Sequence, residues 1–175
     1  DPDLDMLFGG ALLVRPDGSL LAARRSYPAH YAQIATSHLY NLSCAMFFRR
    51  RLWEEGLRFD TKLRMLGDQH LVLEALKKGA RSGTVKKPLS VFTFTGTNLS
   101  WTDAAKQEAA VLDASAPRWI RLLKVPFNLL RVAEKAVHGG YHHGPVDYAI
   151  YENGNVRSRT PFHVDNVSVN WPKEK

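Results

Sequence analysis

A carboxylate at the start of a predicted helix is the feature of this chain best suited to chemistry. Asp68 opens the run 68–78, where Leu71, Val72, Ala75 and Leu76 recur at helical spacing and Lys77-Lys78 precede Gly79. The spacing predicts a helix over 68–78 that Gly79 ends. Free backbone N–H groups and the dipole at a helix N-terminus keep a carboxylate ionised and aimed. Such a group can take the proton of an attacking hydroxyl as a general base. Taken alone, it can equally be a plain helix cap. His70 either faces the same site or lies on the solvated face of the helix. Upstream stands the run Arg49-Arg50-Arg51. A guanidinium matches phosphate oxygens, so Arg49 is a candidate for a diphosphate or a phosphorylated acceptor; a solvated helix start is the alternative.

Three segments follow one another: Phe47-Phe48-Arg49, Gly56-Leu57-Arg58-Phe59-Asp60 and Leu66-Gly67-Asp68-Gln69-His70. Their order resembles the acceptor-side signature of inverting family 2 glycosyltransferases. There, a small-residue strand ends in a Phe-Arg type pair. A short helix and a Gly-x-x-Phe-Asp turn follow, and an acidic residue then opens a helix. Asp68 lies eight residues after Asp60, the spacing of the family's catalytic base. The resemblance implies that Asp68 is that base. Gly67 stands where the family usually has a Glu, which removes one acceptor contact. The resemblance also places Arg49, Gly67, Gln69 and His70 near the acceptor or diphosphate. Gly96-Thr97-Asn98-Leu99-Ser100 resembles the family's Gly-Gly-x-Ser segment and adds Asn98 and Ser100; a helix-capping loop is the alternative. Phe59 and Asp60 are implied as scaffold, the Phe packing and the Asp tying the loop. Gly9, at the end of an apolar strand, is a backbone requirement.

The fold class this implies is α/β. Residues 1–103 form the acceptor half of a Rossmann-like A-type domain. Residues 104–175 form an α-helical C-terminal extension with a terminal β-hairpin. The donor half and its Asp-x-Asp metal motif are expected upstream, so the chain reads as a piece of a longer enzyme. A divalent cation, Mg or Mn, is the implied cofactor, bound by residues outside this chain. Asp1-Pro2-Asp3 and Asp3-Leu4-Asp5 have the Asp-x-Asp form but lack the preceding helix, so no metal ligand is assigned here. The implied partners are a nucleotide-sugar, such as a UDP-sugar, and a saccharide or lipid-linked acceptor. The implied setting is bacterial surface-polysaccharide synthesis, cytoplasmic or peripheral on the inner face of the plasma membrane. By itself the chain is expected to be inactive.

The elements that must position these residues are readable in part. Leu4–Phe8 reads as a short strand ending at Gly9-Gly10. Ala11–Val14 and Leu20–Ala23 flank the turn signal Pro16-Asp17-Gly18-Ser19. Residues 25–42 read as a long structured loop carrying Tyr27, Tyr31 and Tyr40, of a length that is often functional. Ser43–Phe48 reads as a buried strand, with Cys44 a buried thiol. Arg50–Glu55 is a short helix closed by Gly56. Thr84–Lys86 and Leu89–Phe94 are strands separated by Pro88. Helices follow from Asp103 to about Ala114 and from Pro117 to His138, the second interrupted at Pro126. A hairpin joins Val146–Tyr151 to Val156–Arg159 through Asn153-Gly154.

In the second helical region, Arg118, Arg121, Lys124, Arg131 and Lys135 fall mostly on one side. Trp119, Leu122, Leu123, Leu129, Leu130, Val132 and Val137 fall on the other. Such a helix packs on the domain or lies in an anionic membrane surface. The 175 residues carry a net charge of +7, which suits anionic lipid, phosphorylated substrates or nucleic acid. No RNA-binding strand motif or zinc-finger spacing is present, which disfavours nucleic acid. The single cysteine excludes an internal disulfide and a cysteine zinc cluster. Adjacent His142-His143 would point to opposite sides of an extended strand and do not suggest a shared metal. The signatures of zinc proteases, α/β-hydrolases and P-loop enzymes are absent. The rival readings are a non-catalytic truncated interaction module and a basic nucleic-acid-binding domain.

Overall fold

The computed structural model describes residues 3–95, 102–151 and 157–172. Its centre is strand β1, Met6–Val14, eight of whose nine residues are buried. One edge of β1 pairs antiparallel with two partners: β3 (Met46–Phe48) along Met6–Phe8, and β2 (Leu20–Arg24) along Ala11–Val14. The other edge pairs along most of its length with β4, Ser82–Thr93, which runs parallel. A strand paired on both edges and covered on both faces needs a continuous apolar run, and MLFGGALLV supplies one.

The sequence expectation of a strand ending at Gly9-Gly10 is corrected, because β1 passes through both glycines. A side chain at Gly10 would lie 2.8 Å from the Arg24 carbonyl oxygen of β2, and one at Gly9 would overlap Leu89 of β4. The glycines let three strands converge. The two strands expected around Pro88 are likewise one. Pro88 sits opposite Gly10 at a register jump, and the next pair is Ala11 with Ser90. A residue without an N–H is tolerated at such a bulge.

The turn at 15–19 forms as its residues predict. Arg15 N–H bonds the Ser19 carbonyl at 2.9 Å, Gly18 takes φ +85°, and Asp17 Oδ1 accepts from Ser19 N–H at 2.9 Å. Helix α2, Arg50–Glu54, is closed by Gly56 at φ +86°. Ser43–Phe48 is not a buried strand. Ser43–Ala45 make a 3₁₀ turn, and only Met46–Phe48 pair, with Phe47 and Phe48 exposed. An apolar run does not by itself reveal which side is covered. Cys44 is exposed for the same reason.

Helix α1 (Tyr31–Ala35) and helix α3 (Gly67–Lys77) cover one face of the sheet. Phe8, Tyr27, Ile34, Tyr40, Leu71 and Val72 form the centre of this core. Helix α4, Asp103–Ser115, follows, then α5, Arg118–Leu122, and α6, Lys124–Val137. Ala116 and Ile120 enter the same core, so the α4–α5 region is packed into it. The helical break falls at Leu123 rather than at Pro126. Pro126 lies in the first turn of α6, where its missing N–H leaves no bond unmade. Strands β5 (Val146–Ile150) and β6 (Thr160–Val164) form the terminal hairpin, whose second strand starts later than Val156. Val146 packs with Leu12 and Ala23 in a second, smaller cluster. The Asn153-Gly154 turn lies outside the described residues. The chain is thus mixed α/β, and none of its described helices is long and apolar enough to cross a membrane.

Asp5, just before β1, ties the start of the sheet together. Its carboxylate accepts from Arg51 Nε at 2.6 Å and from the Arg81 N–H at 3.0 Å, and the residue is 5% exposed. Burial pushes its pKa up, but the Arg81 N–H, the Arg51 hydrogen bond and the charges of Arg51 and Arg49 outweigh this and hold it below 3.8. A carboxylate depressed on folding contributes stability that is full above its ordinary value and is lost as pH falls through the lower folded value. Asp5→Asn should therefore cost about 1–3 kcal/mol at neutral pH, the usual range for a lost charged hydrogen bond. Urea denaturation across acidic pH should show the difference between variant and native protein shrinking below 3.8.

Candidate active site

The N-terminus of α3 opens onto a cavity of about 670 Å³, a size ordinary for small-molecule sites. Five segments bound it: Arg24 at the end of β2, the loop from His38 to Cys44, Met65–Gln69, the end of β4 from Phe92 to Thr95, and Trp171. Trp171 is held by two contacts. The Arg24 guanidinium lies 5.9 Å from its ring centre, and Phe94 meets it edge-on at 6.3 Å. The chain before Trp171 runs beside β2, with Ala23 N–H donating to Ser168 at 2.8 Å and Arg24 Nη1 to Val169 at 3.0 Å.

Asp68 occupies the second position of α3 and lines the cavity; its Oδ1 accepts from the Gln69 N–H at 2.8 Å. Gln69 also lines it, but its side chain is 5% exposed and its Oε1 accepts from the Leu39 N–H at 3.2 Å, so it holds the loop. Gly67 begins the helix, and a side chain there would meet only Phe59 at 3.8 Å. His70 is not on the cavity wall and is half-buried. Its Nδ1 is buried without a hydrogen-bond partner among the described residues. Arg49 also lies away from the cavity; its Nε donates to the Leu4 carbonyl at the edge of the sheet. Asp60 accepts from the Lys62 N–H at 2.9 Å, while the Phe59 ring is 47% exposed rather than packed. Asn98 and Ser100 lie outside the described residues.

The approach to Asp68 is gripped from α4. Glu108 accepts three successive backbone N–H groups, from Arg64 at 2.8 Å and from Met65 and Leu66 at 2.9 Å. Burial raises its pKa, but these three donors prevail and lower it. The motif spacing gave no indication of this clamp, because Glu108 stands forty residues after Asp68.

The opposing loop is locked by its aromatic residues. Tyr27 and Tyr40 stack with ring centres 4.3 Å apart. Asn41 donates to the Tyr27 carbonyl at 2.9 Å and accepts from its N–H at 3.3 Å. Tyr40 donates to the Pro28 carbonyl at 2.8 Å and accepts from the His30 N–H at 3.0 Å. The long aromatic segment 25–42 is thus a rigid wall, and it delivers His38 to the cavity.

Around His38 the protein is cationic. Arg24 lines the cavity with it, and Arg131 and Lys135 of α6 stand close enough to act on it. His38 keeps an exposed side, but partial loss of water to the protein beside it, then the charges of Arg131, Arg24 and Lys135, push its pKa down to about 4. Its Nδ1 lies 2.8 Å from Ser37 Oγ. Burial and then mutual repulsion with Arg24 and Arg131 likewise lower Lys135. One cavity therefore holds a carboxylate, an imidazole that is neutral at pH 7, and the Arg24 guanidinium, with Arg131 and Lys135 acting on His38 from outside its wall. This suits a ligand that carries both a hydroxyl and phosphate oxygens.

The described residues do not fit a divalent cation. No three of their His, Cys, Asp and Glu side chains converge, Asp5 is committed to Arg51 and Arg81, and Asp3 pairs with Arg81 at 3.3 Å. No family model, curated protein or solved structure matches the chain.

Two measurements check this geometry. In Glu108→Ala, hydrogen exchange at the Arg64, Met65 and Leu66 amides should quicken by about tenfold or more, since each loses its acceptor. In an NMR titration, His38 should stay neutral down to about pH 4. His163 should titrate above 6.5, because Asp147 and Asp165 bond both its ring nitrogens. Charging His38 acts against folding as pH falls through 6.5 toward 4. The His163 contribution is present below 6.5 and is lost as pH rises through its folded value.

Proposed function

We infer that the chain is the acceptor-side part of an enzyme that transfers a sugar, with inversion, from a nucleotide-sugar donor to a saccharide or lipid-linked acceptor. The observation that carries the reading is the place of Asp68, in the first turn of α3 on the wall of a cavity that also holds Arg24. The resemblance of 47–70 to the family 2 signature supports it from the sequence side.

In this reading the Asp68 carboxylate takes the proton of the acceptor hydroxyl as its oxygen attacks the anomeric carbon. The bond from that carbon to the donor diphosphate breaks, and the diphosphate leaves with the electron pair. Arg24, with Arg131 and Lys135 behind it, lowers the cost of phosphate charge in the cavity. His38, neutral at pH 7, offers a hydrogen bond without adding charge. Glu108 and the Tyr27–Tyr40 stack hold the two walls in register, which is what positioning of an acceptor requires.

The test is Asp68→Asn in the enzyme carrying its donor-binding half. Turnover of UDP-sugar should fall by roughly 10²–10⁴, the range for a lost general base, with donor affinity little changed. A variant keeping more than about half of its activity would remove Asp68 from this role. Loss of donor binding alongside turnover would make it a binding residue instead.

A further inference from the structure

Helix α6 is packed the wrong way round for a helix of a water-soluble domain. Such helices turn their apolar stripe to the core. Here the side facing the protein is polar apart from Phe127, which packs against the core. Glu134 accepts from Gln33 Nε2 at 3.0 Å and meets His30 Nε2 at 2.8 Å, Asn128 reaches the Thr36 carbonyl, and the Lys135 amine lies 4.1 Å from the Tyr141 ring centre. No residue of α6 is buried. The apolar stripe, with Val125, Leu129, Leu130, Val132 and Val137, faces outward. It continues onto α5 through Trp119 and Leu122. Leu122 and Val137, near the two ends, are 85% and 84% exposed.

We propose that the outer face of α5 and α6 is a docking surface for an anionic lipid bilayer. Three observations select this occupant. The exposed residues of 118–137 include the cations Arg118, Arg121 and Lys124 and no carboxylate; Glu134, the one acid in that span, is turned inward. Lys124 is only loosely offset by Asp113 at 3.7 Å. The exposed apolar residues run from Trp119 and Leu122 of α5, beside Arg118 and Arg121, along α6, a helix about 21 Å long at 1.5 Å per residue. A ridge enters a bilayer interface to a depth of about 5–10 Å, and tryptophan favours that boundary. The chain's net charge of +7 favours an anionic surface and opposes pairing of two like copies. The surface stands independently of the reaction assigned to the cavity.

The test is sedimentation of the full chain with vesicles of phosphatidylcholine alone and of phosphatidylcholine mixed with phosphatidylglycerol. Binding should be strong only to the mixed vesicles and should weaken with salt. The pair Leu122→Ser and Val137→Ser should lower the partition by about tenfold or more, as should the pair Arg118→Gln and Arg121→Gln. Circular dichroism should show both folded, since all four side chains are exposed. The proposal falls if the chain does not sediment with mixed vesicles, or if the Leu122/Val137 pair leaves binding unchanged. Competition by duplex DNA together with sensitivity only to the arginine pair would assign the face to nucleic acid. A dimer in analytical ultracentrifugation that the Leu122/Val137 pair dissociates would assign it to a second copy.

Discussion

Strand β1 has to satisfy partners on both edges and cover on both faces at once. Its single-residue path fixes where β2, β3 and β4 begin and end. Because β2 and β3 share one edge of it, their ends meet near Gly9-Gly10, where there is no room for side chains. On the opposite edge β4 absorbs the same crowding with a bulge at Pro88. Arg24 of β2 and Thr93 and Thr95 at the end of β4, from opposite edges of β1, reach the cavity wall.

The other walls of the cavity are held by polar contacts added to aromatic packing in the core. The Tyr27–Tyr40 stack with the Asn41 amide closes the loop that carries His38, and Glu108 closes the segment before Asp68. A buried hydrogen bond contributes only about 1 kcal/mol net but costs more when left unmade. Such locks therefore specify a geometry more than they stabilise a fold. That is the property a site needs when side chains from distant segments must line one cavity. Asp5 shows the contrast: it pairs with Arg51, and it serves the scaffold.

The inverted α6 follows from the same cavity. Arg131 and Lys135 belong to its polar stripe, and turning that stripe inward brings both toward Arg24 and His38. The apolar stripe then has nowhere to go but outward. Cations close to His38 and an exposed ridge of leucine and valine are two consequences of one helix orientation.

Local chemistry alone determined a good deal of this protein. The turn at 15–19, the glycine-closed helices α2 and α3, the position of Asp68 in a helical first turn and the two-sided character of 118–137 depend on neighbours within a few residues, so they can be read from the chain. Other features depend on what lies across space. An apolar run does not say which side is covered, so Ser43–Phe48 reads as buried although Cys44, Phe47 and Phe48 are exposed. Pro88 reads as a break because a bulge needs a partner strand, and Pro126 reads as a break because its harmless first-turn place depends on where α6 starts. Arg49 and His70 are near Asp68 in sequence yet off the cavity wall, whereas Arg24, His38 and Trp171 line it from distant segments. Spacing along a helix or turn fixes direction over a few residues. Only the convergence of β2, β4 and the locked aromatic loop could decide which charges share a cavity, and only the contacts of Glu134 with His30 and Gln33 could decide which face of α6 looks outward.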